Sequence, residues 1–166
     1  MSEVTEGEER PVLIAYDGSD PAKGAIAEAG RVLGADRRAV VLTVREPIPS
    51  FVLAGGGGAT TLDPTTIRVM EEAARKAAAD VAEEGARLAG EAGFAAEARA
   101  GLSGSAWQEI VAVADELDAG VIVIGSRGRS GFKKVLLGSV ASAVVQHGGR
   151  SVLVVHPEAS DAPGKG

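Results

Sequence analysis

Residues 121–139 read VIVIGSRGRSGFKKVLLGS. Four branched aliphatic residues are followed by a stretch rich in glycine and basic residues, which ends at a serine opening a helical pattern. A continuous apolar run of this length is the signature of a strand covered on both faces, which is the situation in a parallel sheet. The glycines at 125, 128, 131 and 138 let the backbone adopt positive φ and approach a ligand closely. Ser139 begins the helix that runs to His147 and closes at Gly148-Gly149. The free N–H groups and positive dipole end of such a helix favour an anion. Successive N–H groups of the loop can add an anion nest, and Arg127 and Arg129 can add charge-assisted hydrogen bonds.

The same alternation of buried strand and helix extends outward in both directions. PVLIAY (11–16), AVVLTV (39–44), FAAEARA (94–100) and SVLVV (151–155) read as four more strands, the third weak enough for a sheet edge. Between them lie helical patterns. Asp20-Pro21 reads as an N-cap and first turn, with Ala22, Ile26, Ala29, Val32 and Leu33 inward and Gly34 as the stop. Asp63-Pro64 repeats that signal before a long helix with Ile67, Met70, Ala74, Ala77, Val81 and Leu88 on one face. Ser105 to Gln108 fits a capping box and opens a helix with Ile110, Val111, Ala114 and Leu117 inward. Strands alternating with helices predict a single α/β domain, a doubly wound parallel sheet with helices on both faces. Its boundaries are 11–157, flanked by polar tails at 1–10 and 158–166. In such sheets ligands sit beyond the carboxyl ends of the strands. Two loops therefore matter most: Asp17-Gly18-Ser19 after the first strand, and Gly125 onward after the fourth.

Composition narrows the chemistry. The 166-residue chain has no cysteine, so thiolate catalysis, disulfides and cysteine-ligated metals are excluded. Only 3% of residues are aromatic, so the core must be aliphatic. No apolar run is long enough to span a membrane, the acidic start MSEVTEGEER is no secretory signal, and a cytoplasmic location is expected. Net charge is −6, which argues against nucleic acid as the main partner. The charge is uneven: from Ala119 to Pro157 there is no Asp or Glu, but there are Arg127, Arg129, Lys133, Lys134 and Arg150. An acidic protein with one basic segment kept clear of carboxylates fits a bound anion. Neither the Walker pattern G-x-x-x-x-G-K-[ST] nor a G-x-G-x-x-G after the first strand is present. No Ser-His-Asp order, metal cluster or carboxylate pair stands out. Binding is expected rather than turnover.

The spacing Gly125-x2-Gly128-x9-Gly138-Ser139 resembles the nucleotide-binding signature of the universal stress protein family. VLIAYDGSD resembles that family's first strand and acidic turn, and GSVASAVVQHGGRSVLVV its last helix and strand. The resemblance implies a sheet of strand order 3-2-1-4-5 and an ATP site. Ala15 and Asp17 would border adenine and ribose, and Val44 would offer its backbone to the adenine edge. Gly125 would approach the ribose. Ser126, Arg127, Gly128, Arg129, Ser130 and Gly131 would line the phosphates, and Gly138, Ser139 and Val140 would hold the phosphate tail. It implies magnesium on the phosphates with few protein ligands. It also implies a homodimer through the edge strand 151–155, whose exposed ladder invites pairing. The expected role is an ATP-binding stress-response sensor, with the long 46–63 connection as a lid. The alternatives are a slow ATPase, a nucleotide-dependent transferase, or a binder of AMP or a cyclic nucleotide.

Overall fold

The computed structural model describes residues 9–47, 62–127 and 137–157. Five strands, β1 (Val12–Ala15), β2 (Arg38–Arg45), β3 (Ala95–Leu102), β4 (Val121–Gly125) and β5 (Ser151–Val155), form one sheet. Its order is β3-β2-β1-β4-β5 and every pairing is parallel, as the sequence pattern predicts. The helices are α1 (Asp20–Leu33), α2 (Pro64–Glu91), α3 (Ala106–Glu116) and α4 (Ser139–His147).

Alternation along the strands divides the core in two. Val12, Ile14, Tyr16, Val41, Val121 and Val123 point to the face covered by α1 and α2. Leu13, Val40, Leu42, Ile122 and Ile124 point to the face covered by α3 and α4. β1 and β4, central in the sheet, are buried on both faces, which is why they read as unbroken apolar runs. β3 carries Glu97 and Arg99 at one edge of the sheet. Arg38 reaches Glu97 at 2.9 Å, and Arg99 makes a bidentate pair with Glu116 of α3 at 2.9 and 2.7 Å. β5 pairs with β4 alone, and Val152, Leu153 and Val154 on this opposite edge are only partly buried.

Helix starts and faces depart from the sequence pattern in five places. Val32 of α1, read as inward, is exposed, because the buried stripe of that helix is Ala22, Ala25, Ile26 and Ala29. The cap of α1 is Ser19, whose Oγ accepts from Ala22 N at 3.3 Å, so Asp20 and Pro21 already lie inside the first turn. Ser105 precedes α3 without a side-chain cap bond, and its N–H, which a capping box would give to Gln108, donates to Ser103 Oγ at 3.2 Å instead. On α3 the inward residues are Ile110, Val113 and Ala114, with Val111 only partly buried. The largest departure is in α2. Asp63 caps it as expected, accepting from Thr65 N and Thr66 N at 2.9 and 3.0 Å. The buried stripe, however, is Ala78, Ala82, Gly85 and Ala89. From residue 64 to 77 nothing is buried, and Val69 and Met70 are exposed. At 1.5 Å per residue the helix is about 42 Å long, whereas an eight-residue strand spans about 26 Å. The helix therefore overhangs the sheet it packs on.

Candidate functional site

The chain leaves β1 for β2 and β3 on one side, then returns to β4 and β5 on the other. The crevice between the carboxyl ends of β1 and β4 is thus the point where strand order reverses. Ala15 and Asp17 emerge there, flanked by Val44 at the end of β2 and Gly125 at the end of β4.

The Asp17 turn is tightly specified. Tyr16 N donates to Leu42 O at 2.9 Å, continuing the β1–β2 ladder by one rung. The Tyr16 carbonyl accepts from the buried Thr43 hydroxyl at 2.9 Å. Beyond it, Asp17 Oδ1 accepts from Ser19 N at 2.9 Å, and Gly18 takes φ +82°, where a glycine is favoured. Asp17 is therefore a turn former, as its position alone would allow. Its other oxygen, Oδ2, accepts nothing among the described residues. Val81 of α2 stands 3.4 Å from where a Gly18 Cβ would lie, so α2 backs the turn.

The second wall is the junction of β4 with α4. Ser126 N donates to Val155 O at 2.8 Å, and Gly138 N donates to Ser126 O at 2.6 Å. One residue thereby pins the end of β4, the end of β5 and the start of α4 together. A Cβ on Gly125 would lie 3.3 Å from Arg127 O and 3.5 Å from Pro21 O, and one on Gly138 would lie 3.2 Å from Ser126 O. Backbone approaches backbone here because no side chain intervenes. Glycine at the cap position of α4 also supplies no side-chain acceptor to the first-turn N–H groups. Ser139 is exposed, Val140 is partly buried, and Arg127 is half-buried. Ser126 is fully buried, and its hydroxyl has no hydrogen-bond partner among the described residues. Gly128, Arg129, Ser130 and Gly131, together with Lys133 and Lys134, lie outside the described residues.

The structure thus brings Gly125, Ser126, Arg127 and Gly138 into direct proximity and sets Ala15, Asp17 and Val44 on the neighbouring strand ends. The sequence reading passed over Thr43, and it placed Ser19 in the loop after β1 without seeing it as the cap of α1. The signal for Thr43 was present as the one polar residue in AVVLTV. Tyr16 also belongs to the support of the site. Burial, and then the nearby negative charge of Glu84, push its phenol up to about 12. Lys23 of α1 holds the Glu84 carboxyl below its usual range and pairs with it at 3.1 Å, bridging α1 to α2. Among the described residues no cluster of three or more His, Asp or Glu side chains can hold a metal ion. No helix among them is long and apolar enough to cross a membrane.

This architecture has relatives. The universal stress protein MJ0577 of Methanocaldococcus jannaschii is 40% identical over 48 residues, 29% of this chain and 30% of that protein. The chain aligns with less than a third of that curated relative's length. The solved structure of MJ0577 superposes with a TM-score of 0.72 at 21% identity, covering 92% of this chain and 99% of the other. The Archaeoglobus fulgidus universal stress protein in complex with dAMP superposes with a TM-score of 0.56 at 21% identity, over 89% and 98% of the two chains. A universal stress protein in complex with cAMP does so with a TM-score of 0.57 at 23% identity, over 90% and 98%. At these identities the superpositions establish the fold. The sequence itself matches the model of the universal stress protein family from residue 9 to 156, so with strand order, both glycine-lined turns and the final helix and strand inside that span, the chain belongs to the universal stress protein family.

Proposed function

We propose that the chain is a nucleotide-binding regulatory protein that holds ATP, with magnesium on its phosphates, in the crevice between β1 and β4. The observation that carries this reading is the start of α4. A helix of nine residues begins at a glycine, without a side-chain cap, next to Ser126, whose carbonyl accepts from Gly138 N and whose buried hydroxyl has no partner among the described residues. A buried hydroxyl without a partner costs about 1–3 kcal/mol, so its retention fits a site completed by a ligand. The close backbone approach at Gly125 and Gly138 fits a phosphate-bearing ligand, as does the basic character of the segment. The family relatives solved with dAMP and cAMP support a nucleotide as the occupant.

In this reading Ala15, Asp17 and Val44 form the base and ribose wall. Gly125 approaches the ribose, and Ser126 to Gly131, with Gly138, Ser139 and Val140, serve the phosphates. Asp17 Oδ2, which accepts nothing among the described residues, suits a single contact to ribose or to a phosphate-bound metal, in keeping with few protein ligands. The nucleotide domain spans 11–157 and works in the cytoplasm as a stress-response sensor. Two copies associate through β5, whose apolar edge lacks the charges that blunt β3.

Calorimetry with ATP, AMP and cyclic AMP, alongside identification of the nucleotide that co-purifies, tests this directly. Saturable binding of one nucleotide per chain is expected, lost in a Gly128→Val, Ser139→Ala variant, with light scattering reporting a dimer at micromolar concentration. Affinity that survives the double substitution moves the site elsewhere, and a monomer removes the β5 interface. Preference for AMP or cyclic AMP would replace ATP as the ligand. Steady turnover abolished by Asp17→Asn would make the protein a slow ATPase instead.

A further inference from the structure

We infer that Thr43, which lies behind the binding crevice, is a positioning residue that aims Asp17 and so sets nucleotide affinity. This rests on the nucleotide reading above for its effect on affinity, but not for its effect on the turn itself. Thr43 and Ser126 are buried with short hydroxyl side chains, and the two are in opposite states. The Ser126 hydroxyl has no partner among the described residues, whereas the Thr43 hydroxyl is committed to the Tyr16 carbonyl at 2.9 Å.

The location of that bond explains its use. The β1–β2 pairing ends at Ala15 with Leu42, and Tyr16 N adds one last bond to Leu42 O. From there β1 turns away toward Gly18, and the Tyr16 carbonyl leaves the ladder. A buried carbonyl must find another donor or lose about 1–3 kcal/mol, and the Thr43 side chain is that donor. The Tyr16 carbonyl belongs to the peptide that joins Tyr16 to Asp17. Holding it fixes the plane from which the Asp17 side chain departs. On the other side, Ser19 N holds Asp17 Oδ1 at 2.9 Å. The carboxylate is thus restrained from both ends, which leaves Oδ2 in one orientation. The ring of Tyr16 is wedged between α2 and Val41, where a Cβ on Gly85 would come within 2.6 Å of the ring and 2.7 Å of Val41, so the side chain resists following a rotation of its own peptide. With the ring held, the Thr43 hydroxyl decides the direction of the Tyr16–Asp17 peptide.

Thr43→Val keeps the shape and removes the hydroxyl, Thr43→Ser keeps the hydroxyl, and Thr43→Ala is a smaller replacement should valine fail to fold. Affinities for ATP and AMP are measured by calorimetry in these variants, in Asp17→Asn, and in Asp17→Asn combined with Thr43→Val. Thr43→Val, or Thr43→Ala in its place, is expected to weaken binding about tenfold, the equivalent of one ordinary hydrogen bond. Thr43→Ser should stay within about twofold, well inside that loss. In the Asp17→Asn background the Thr43 change should add nothing, whereas a merely structural role would weaken binding equally in both backgrounds and would overturn the inference. The Ser19 amide, observed by NMR, reports without any nucleotide. Its exchange should accelerate in Thr43→Val and not in Thr43→Ser. A Ser19 amide unaffected by losing the hydroxyl sinks the positioning role. A wild-type protein that binds no nucleotide, while its Ser19 amide still responds, sinks the nucleotide reading and leaves the turn-setting role standing.

Discussion

The two faces of the sheet are filled in different ways. The face under α1 and α2 sets small helix residues, Ala22, Ala25, Ala29 and Ala89, against Val12, Ile14, Tyr16, Val41, Val121 and Val123 of the strands. Its helices sit close because two glycines let them. A Cβ on Gly85 would lie 2.6 Å from Tyr16 Cδ1 and 2.7 Å from Val41 Cγ1, and one on Gly30 would lie 2.5 Å from Ala92 O. The face under α3 and α4 is filled by Leu13, Val40, Leu42, Ile110, Val113, Ile122, Ile124 and Val144. One face depends on groups that are missing, the other on groups that are present. They should therefore fail under opposite substitutions, and the site lies where loops from both faces meet.

The largest effects come from testing that opposition directly. Ile122→Ala removes fully buried methyl groups on the α3–α4 face and should cost about 3–4 kcal/mol by chemical denaturation. Gly85→Ala adds one methyl on the α1–α2 face and should cost about 2–3 kcal/mol. A Gly85→Ala protein as stable as the parent would mean that α2 can slide outward, and the distinction between the faces would collapse.

A smaller effect follows from the buried phenol on the α1–α2 face. An ordinary tyrosine ionises near pH 10, and Tyr16 is pushed to about 12 by burial and by Glu84. The unfolded chain gives up this proton first. The contribution is therefore intact below pH 10 and drains away as pH rises from 10 to 12, by about 2 kcal/mol. Tyr16 is the only tyrosine, so phenolate absorbance during an alkaline titration reports it alone. A midpoint near 10 in the folded protein would show the ring to be solvated. The smallest effect belongs to the opposite face, where Trp107 stacks on the exposed His147 with centroids 4.8 Å apart. His147→Ala should cost about 0.5 kcal/mol and change the emission of the sole tryptophan. Unchanged emission would mean that the rings do not meet in solution.

The sequence announced some of this and concealed the rest, for definite reasons. Strand positions were legible because β1, β2 and β4 are buried on both faces and carry unbroken apolar runs. The span Ser139–His147 and the strand Ser151–Val155 coincide with the sequence reading to the residue, since glycines mark the boundaries. Asp20 was read as a cap because Asp-Pro is a strong local signal, but Ser19 sits at the position where the backbone is still extended. The inward face of α2 was misread for a different reason. Periodicity identifies a stripe, but only the sheet's depth determines which half of a long helix has something to cover. Gly85 against Tyr16 and Thr43 against the Tyr16 carbonyl were invisible because each pairs residues far apart in sequence. In the candidate site, glycine spacing drew attention to Gly125 and Gly138, while the junction made by Ser126 depends on backbone bonds that carry no sequence signature.

The overhang of α2 has a consequence for how the molecule comes apart. None of its first fourteen residues is fully buried, and only Thr66, Ile67, Glu71 and Ala74 are partly so, which leaves much of the holding to the Asp63 cap and to local pairs such as Lys76 with Asp80 at 3.0 Å. An isolated helix of that length is marginal in water. The segment can therefore fray while the half beyond Ala78 stays docked, and a protease would find its first cut there rather than in the sheet.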